Sequence, residues 1–131
     1  IIICSDVEQN ISPRLLVRLR ENSSIRIFEH YLTSNSCVIN SLTDINCEKN
    51  SQLDYYKIID EQEQGYHLSL SNIRLARNSY LNLFSWDCGA NISRNNINID
   101  LVEKNASVNL NALFFPTGKL HVDNQLKIYH L

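Results

Sequence analysis

The chain has 131 residues, a formal net charge of −2 at pH 7 and 44% hydrophobic residues, which is typical of a single globular domain. With no basic surplus, nucleic acid and anionic membrane surfaces are poor candidate partners. No apolar run approaches the roughly 20 residues that span a bilayer, and residues 1–4 are too short for the core of a secretory signal.

The chain contains no methionine, and its final residues, 127–131, stop in the middle of a strand-like pattern. We therefore expect it to be a piece of a longer protein.

The first 19 residues predict a strand, a turn and a second strand. The break is placed at residues 9–13, which contain Pro13. From Arg14 to Leu19 apolar and polar residues alternate in the manner of a half-buried strand.

A short motif then recurs four times along the chain. Each copy has a charged residue, an asparagine, a small residue, a variable residue and an aliphatic one; the asparagines are Asn22, Asn50, Asn78 and Asn105. Their spacings are 28, 28 and 27 residues. A period of this length is typical of stacked-repeat folds.

Alignment of the copies produces columns of like residues. Three columns are apolar: Ile25, Leu53, Leu81 and Val108; Ile27, Tyr55, Leu83 and Leu110; and Leu19, Cys47, Leu75 and Val102. One intervening column is polar: Arg26, Asp54, Asn82 and Asn109. Because side chains alternate between the faces of a strand, this pattern predicts strands that are apolar on one face and polar on the other in every copy.

A second strand is predicted in each copy, at 39–45, 68–70 with Ile73, 97–99 with Leu101, and 126–128. Turns are expected at 62–65, 88–90 and 115–119, and no helical pattern extends over ten residues. The fold class is therefore all-β: a single-stranded solenoid, or parallel β-helix, of four to five coils of about 28 residues. An antiparallel sandwich would also have short strands, but it would not give columns at one period.

The recurring asparagine is expected to be structural. Stacked amides can form a ladder of hydrogen bonds, and asparagine tolerates the left-handed backbone conformation of tight turns.

Five short motifs resemble the SufB/SufD family of iron–sulfur cluster assembly proteins, and most closely its SufD branch. They are SPRLLV at 12–17, IFEHY at 27–31, YHL at 66–68, GANISRN at 89–95 and HVDN at 121–124. The motifs occur in the family's order and cover nearly the whole chain. The Trp- and Cys-containing run of SufB-like sequences is missing after the corresponding glycine.

The resemblance implies a right-handed β-helix and a non-catalytic scaffold subunit. Residues 1–131 would be an incomplete SufBD-type core domain without its flanking helical segments. The implied partners are a SufB-like subunit and the ABC-type ATPase SufC, in a cytoplasmic complex. An iron–sulfur cluster would be assembled by the complex, and this chain would bind no cofactor. The family's ATPase-binding helix and cluster-ligating histidine lie beyond the matching stretch.

No catalytic, cofactor-binding or metal-ligating residue is predicted here. Cysteines ligate iron–sulfur clusters, but no CxxC pair occurs. Cys47 stands in an apolar column and is expected to be a buried small hydrophobe, Cys37 precedes a strand and Cys4 lies on an edge strand, so none of the three is expected to be a ligand. Cys88, in a turn beside glycine, is the cysteine most open to reaction. We expect reduced thiols, as in a cytoplasmic compartment.

The histidines are expected to satisfy hydrogen bonds in strands or turns; they are His30, His67, His121 and His130. The acidic run at 60–63 is interpreted as a solvated loop. The chain has no P-loop, no dinucleotide fingerprint, no nucleophile-elbow motif and no zinc-protease motif. Any dependence on ATP must therefore come from a partner.

Two other functions remain open on the sequence. A β-helix carbohydrate-active enzyme would need clustered carboxylates in a groove, whereas the outward column mixes Arg, Asp and Asn. A purely structural β-helix that binds other proteins is the second.

Overall fold

The computed structural model describes residues 1–5, 9–33, 36–61, 64–115 and 119–131, without the side chain of Cys4. These residues contain eleven strands: β1 (Ile2–Ser5), β2 (Gln9–Ile11), β3 (Arg14–Leu19), β4 (Ser24–Thr33), β5 (Cys37–Cys47), β6 (Gln52–Glu61), β7 (Tyr66–Leu75), β8 (Tyr80–Asp87), β9 (Ile92–Leu101), β10 (Ser107–Phe114) and β11 (His121–His130). The described residues contain no helix, and hence none that could cross a membrane.

The strands form two parallel sheets that face each other. Sheet A has the order β1-β4-β6-β8-β10, and sheet B has the order β2-β5-β7-β9-β11, with β3 also paired to β5. Each coil contributes one strand to each sheet, and each strand pairs with its counterpart one coil away. The predicted parallel β-solenoid is confirmed, with about four turns.

Two of the apolar columns are confirmed residue for residue by the register of sheet A. Ile25 pairs with Leu53 and Ile27 with Tyr55, and both columns continue through β8 and β10. The third column is wrong at its last member, because Leu75 pairs with Leu101 and not with Val102. The turn after β9 contains one residue more than the earlier turns, so counting back from the asparagine misplaces the strand by one position.

The predicted break at residues 9–13 is also too long. Gln9–Ile11 forms β2. Both β2 and β3 pair with β5, and they do so in one continuous register. Only residues 12–13 leave the ladder, because proline has no amide hydrogen to donate. The carbonyl oxygen of Pro13 still accepts a bond from the Leu42 amide at 3.0 Å.

The second strands are longer than the sequence predicted. β5 extends from 37 to 47, and β7 and β9 have ten residues each. The turn at 88–90 is confirmed between β8 and β9. Residues 62–63 and 116–118 of the other two predicted turns lie outside the described part of the chain.

Both structural roles of the recurring asparagine are present. The four residues have φ angles between 56° and 61°, in the left-handed region. Their side chains also form a ladder, in which Asn50 donates to Asn22 at 3.1 Å, Asn78 to Asn50 at 3.0 Å and Asn105 to Asn78 at 3.1 Å. One residue type therefore closes the turn and joins successive coils.

Substitution of Asn78 should separate these two roles. Asn78→Ala places a β-carbon in the left-handed region, at about 1–2 kcal/mol, and also removes two ladder bonds. Asn78→Gly removes the same bonds without that backbone cost. We expect alanine to lower the free energy of urea unfolding by about 2 kcal/mol and glycine by about half as much. Equal losses in the two variants would mean that the backbone conformation contributes nothing.

An aromatic row lies on the outer face of sheet A. Phe28 stacks on Tyr56, with ring centroids 4.6 Å apart and planes within 10°. Tyr56 is followed by Phe84 at 6.3 Å. The pairs occupy directly opposed positions in the parallel ladder, so cross-strand aromatic contact reinforces the register.

The inward face differs from the sequence expectation. Two apolar clusters are present, one around Leu53 and Leu81 near the asparagine turn and a smaller one around Tyr31 and Ile59 at the opposite end. Between them the buried side chains are polar. The predicted apolar face is therefore confirmed where the columns were identified, near the asparagine turn, whereas further along the strands the same face is polar.

Candidate functional site: the polar interior

A group of buried polar side chains crosses the inside of the solenoid, and we call it the polar interior. It consists of Glu29, Tyr31, Thr43, Tyr55, Lys57, Glu61, His67, Ser69, Ser71, Ser85, Asp87, Ser93 and Asn95. All of these side chains are at least 90% buried. Charged groups are rarely buried to this extent unless they are paired, which makes this cluster the most unusual feature of the described residues.

Glu29 is the acceptor at the first-coil end of the polar interior. The hydroxyl of Tyr31 donates to one carboxylate oxygen, and that of Tyr55 donates to the other. The hydroxyl of Thr43 lies 3.1 Å and 3.3 Å from the two oxygens. Burial and the charge of Glu29 raise the pKa of both tyrosines well above the ordinary value, so the phenols stay protonated donors.

Lys57 occupies the position on β6 next to Glu29 on β4. Its ammonium group donates to the hydroxyl of Ser71 at 3.2 Å and to the side-chain oxygen of Asn95 at 3.1 Å. It also lies 5.9 Å from the centre of the Tyr31 ring. Burial lowers the pKa of Lys57 to about 8, while the charges of Glu29 and Asp87 oppose the shift.

Two pairs, each made of one acidic side chain and one partner, connect sheet A to sheet B near the turns that follow β6 and β8. Nδ1 of His67 lies 2.6 Å from Oε1 of Glu61, and both side chains are fully buried. One coil later the hydroxyl of Ser93 donates to Asp87 at 2.7 Å, and the other oxygen of Asp87 accepts the Gly89 amide at 2.8 Å. In each pair the partner follows the acidic residue by six positions in the sequence.

The acidic run at 60–63 was wrongly interpreted as a solvated loop. Asp60 and Glu61 are the last two residues of β6, and only Asp60 is exposed. Strand alternation turns Glu61 inward, where it meets His67. The remaining residues of the run, 62–63, lie outside the described part of the chain.

The sequence did contain a signal for the polar interior. Tyr55 belongs to an inward column, and a step of two residues along the strand reaches Lys57 on the same face. The same step leads from Ile27 to Glu29 and from Leu83 to Ser85. Extending each inward column by one inward position along the strand therefore predicts the buried polar cluster, although it does not predict the hydrogen bonds within it.

The cysteines are dispersed, and no disulfide joins those whose side chains are described. Cys47 is fully buried in the larger apolar cluster, as expected, and burial raises its pKa to about 11. Cys37 is buried and opens β5. Cys88 is half-buried in the turn before Gly89, where its sulfur accepts the indole hydrogen of Trp86. The side chain of Cys4 lies outside the described atoms.

The four histidines are not brought together. His67 is buried in the polar interior, whereas His30 is half-buried on the outward face of β4. His121 and His130 are the exposed first and last residues of β11. Within the described residues, no three His, Cys, Asp or Glu side chains are grouped closely enough to hold a metal ion.

Several carboxylates on the surface lie against cationic or amide partners. Arg18 is 2.6 Å from Glu48, which lowers the pKa of that carboxyl, and Arg26 is 3.2 Å from Asp54. Asp44 accepts a bond from Asn72 at 2.8 Å. The distribution is that of a solenoid surface crossed by side-chain ladders and not that of a groove with paired acids.

The geometry of the polar interior favours rigidity over reactivity. Both oxygens of Glu29 and both of Asp87 already accept hydrogen bonds. The groups are buried between two sheets, which limits the access of solvent and substrates to them, although Ser85 and Asn95 also line a cavity beside Leu110 and Leu126. Hydrogen bonds between buried side chains fix one arrangement of the strands, although Oε2 of Glu61 and Nε2 of His67 have no partner among the described residues.

Comparison with known proteins gives the family. The family described as "SUF system FeS cluster assembly, SufBD core domain" matches residues 2–131. A search of curated proteins gives no match, and neither does a search of solved structures. The family match extends over almost the whole chain and agrees with the parallel solenoid. The chain therefore belongs to the SufB/SufD family, whose role is iron–sulfur cluster assembly by the SUF system.

Proposed function

We propose that the protein is a non-catalytic scaffold subunit of the SUF iron–sulfur cluster assembly complex, on the SufD side of the family. In this proposal it pairs with a SufB-like subunit and works with a SufC-like ABC ATPase in the cytoplasm. The chain holds no cofactor of its own, and the iron–sulfur cluster is the cargo of the complex.

The observation that carries the proposal is the match to the SufBD core domain over residues 2–131. Three further features support it. The motifs at 29–31, 66–68 and 93–95 resemble the SufD branch, both oxygens of Glu29 and of Asp87 are occupied by hydrogen bonds, and the chain contains no P-loop, so a partner would have to hydrolyse ATP. A rigid solenoid with enclosed polar groups suits a platform for partners better than a reaction centre.

Affinity purification of the full-length protein from its native source tests the proposal. We expect a SufB-like subunit and an ABC-type ATPase to co-purify in stable amounts, identified by mass spectrometry. ATP hydrolysis should follow the ATPase and be absent from the purified subunit alone. Recovery of neither partner would show the proposal to be wrong.

The same preparation separates the SufD and SufB roles. A SufD-type subunit should co-purify with a second, different SufB-like chain, whereas a SufB-type subunit would bring down a SufD-like chain. A matched control is the Leu81→Ala variant under the same tag: the partners should be reduced if binding needs the folded solenoid. Capture of the same proteins in undiminished amounts by heat-denatured bait would mark them as non-specific.

A further inference from the structure

The hydrogen bonds of Lys57 are incomplete for a fully buried ammonium group. Such a group has three hydrogens to donate, and Lys57 donates to two acceptors, Ser71 and Asn95, both of them neutral. Among the described residues it forms no ion pair within 4.0 Å. A neutral amine, with two hydrogens, would match these two acceptors without a surplus donor.

The charged groups that face Lys57 are already bound by other donors. Glu29 on β4 is held by Tyr31, Tyr55 and Thr43. Asp87 on β8 is held by the Gly89 amide and Ser93. The two strands of sheet B that contact the amine, β7 and β9, present the uncharged Ser71 and Asn95. The two carboxylates therefore act on the ammonium only through space.

We propose that Lys57 makes the solenoid a pH-sensitive element, in which loss of a proton from its amine at mildly alkaline pH stabilises the folded chain. The switch belongs to the fold and is independent of the scaffold function proposed above. Proton release removes the surplus donor and the desolvated charge, while the bonds to Ser71 and Asn95 are retained by the amine.

The direction of the pH dependence follows from proton linkage. Burial lowers the pKa of Lys57 in the folded chain to about 8, from an ordinary value of 10.5. Between these values the unfolded chain binds more protons than the folded chain, so stability rises with pH in that window. The contribution of Lys57 to the unfolding equilibrium constant should fall about tenfold between pH 7 and pH 9.

Two measurements on the full, reduced chain test the proposal. Urea unfolding at pH 7 and pH 9 is compared for the native chain, Lys57→Met and Lys104→Met, in which an exposed lysine is replaced. The ionisation of Cys47 affects all three chains alike and cancels in the comparison. We expect the unfolding equilibrium constant of the native chain and of Lys104→Met to fall about tenfold relative to that of Lys57→Met as the pH rises.

The second measurement follows the lysine side chains of the native chain by NMR from pH 6 to pH 11. One of the five lysines, assigned as Lys57 by its absence from Lys57→Met or by its contacts to Tyr31, should titrate near pH 8. Titration of Lys57 together with the other lysines would overturn the proposal, as would equal pH dependence in all three chains. If Lys57→Met does not fold, the titration of the native chain decides alone.

Discussion

Replacement of Glu29 by alanine is expected to lower the free energy of unfolding by about 3–5 kcal/mol, because each buried donor left without an acceptor costs about 1–3 kcal/mol. The variant would leave the hydroxyls of Tyr31, Tyr55 and Thr43 buried without their shared acceptor. It would also remove one of the two negative charges that act on Lys57. Urea unfolding monitored by the near-ultraviolet signal of the tyrosines measures the loss.

The matched control for Glu29 is Glu21→Ala, which removes an exposed carboxylate in the first turn. It should change the free energy of unfolding by less than about 0.5 kcal/mol. Tyr55→Phe provides an intermediate case, because it removes one donor and leaves the acceptor with its other bonds. A loss below about 1 kcal/mol for Glu29→Ala would mean that the carboxylate is not the centre of the network.

Replacement of Leu81 by alanine is expected to cost about 2–5 kcal/mol. Leu81 is fully buried, and in the ladder it lies between Leu53 of the preceding coil and Val108 of the following one. Removal of its side chain opens a cavity that the stacked neighbours fill only in part, because their positions are fixed by the strand register. Thermal or urea unfolding measures the effect.

Leu16 provides the comparison for Leu81, since it is 84% exposed on β3. Leu16→Ala should stay within about 0.5 kcal/mol of the native chain. Similar losses at the two positions would contradict the assignment of Leu81 to the inward column.

Those parts of the fold that depend on repetition could be predicted from the sequence. The asparagine period gave the coil length, and Ile25 with Leu53 gave the register of sheet A, because parallel stacking places equivalent residues opposite one another. The left-handed φ of the asparagines followed from the conformational tolerance of that residue type.

The errors arose where the repeat is interrupted. The turn after β9 has one additional residue, so Leu101 and not Val102 occupies the third apolar column. The break around Pro13 is shorter than the sequence predicts, because Gln9–Ile11 is paired with β5. The polar interior was missed for a different reason. Extending the inward columns by one position predicts buried polar side chains such as Glu29 and Lys57, but it does not predict their bonding. The hydrogen bond from Lys57 to Asn95 depends on how sheets A and B face each other, which periodicity along one chain does not specify.

The asparagine amides in the side-chain ladders of the solenoid all donate in one direction. Asn50, Asn72 and Asn82 each donate to a side chain of the preceding coil, and the later members of their rows do the same. Asp44 and Asp54, which as carboxylates only accept, are the acceptors of two such amide rows, and Asp54 also accepts from Arg26 of the preceding coil. Deamidation of Asn72 would therefore set one carboxylate directly against another. Each row of amides therefore has a donating end and an accepting end. Deamidation would weaken a row at an asparagine inside it, and not at the residue that only accepts.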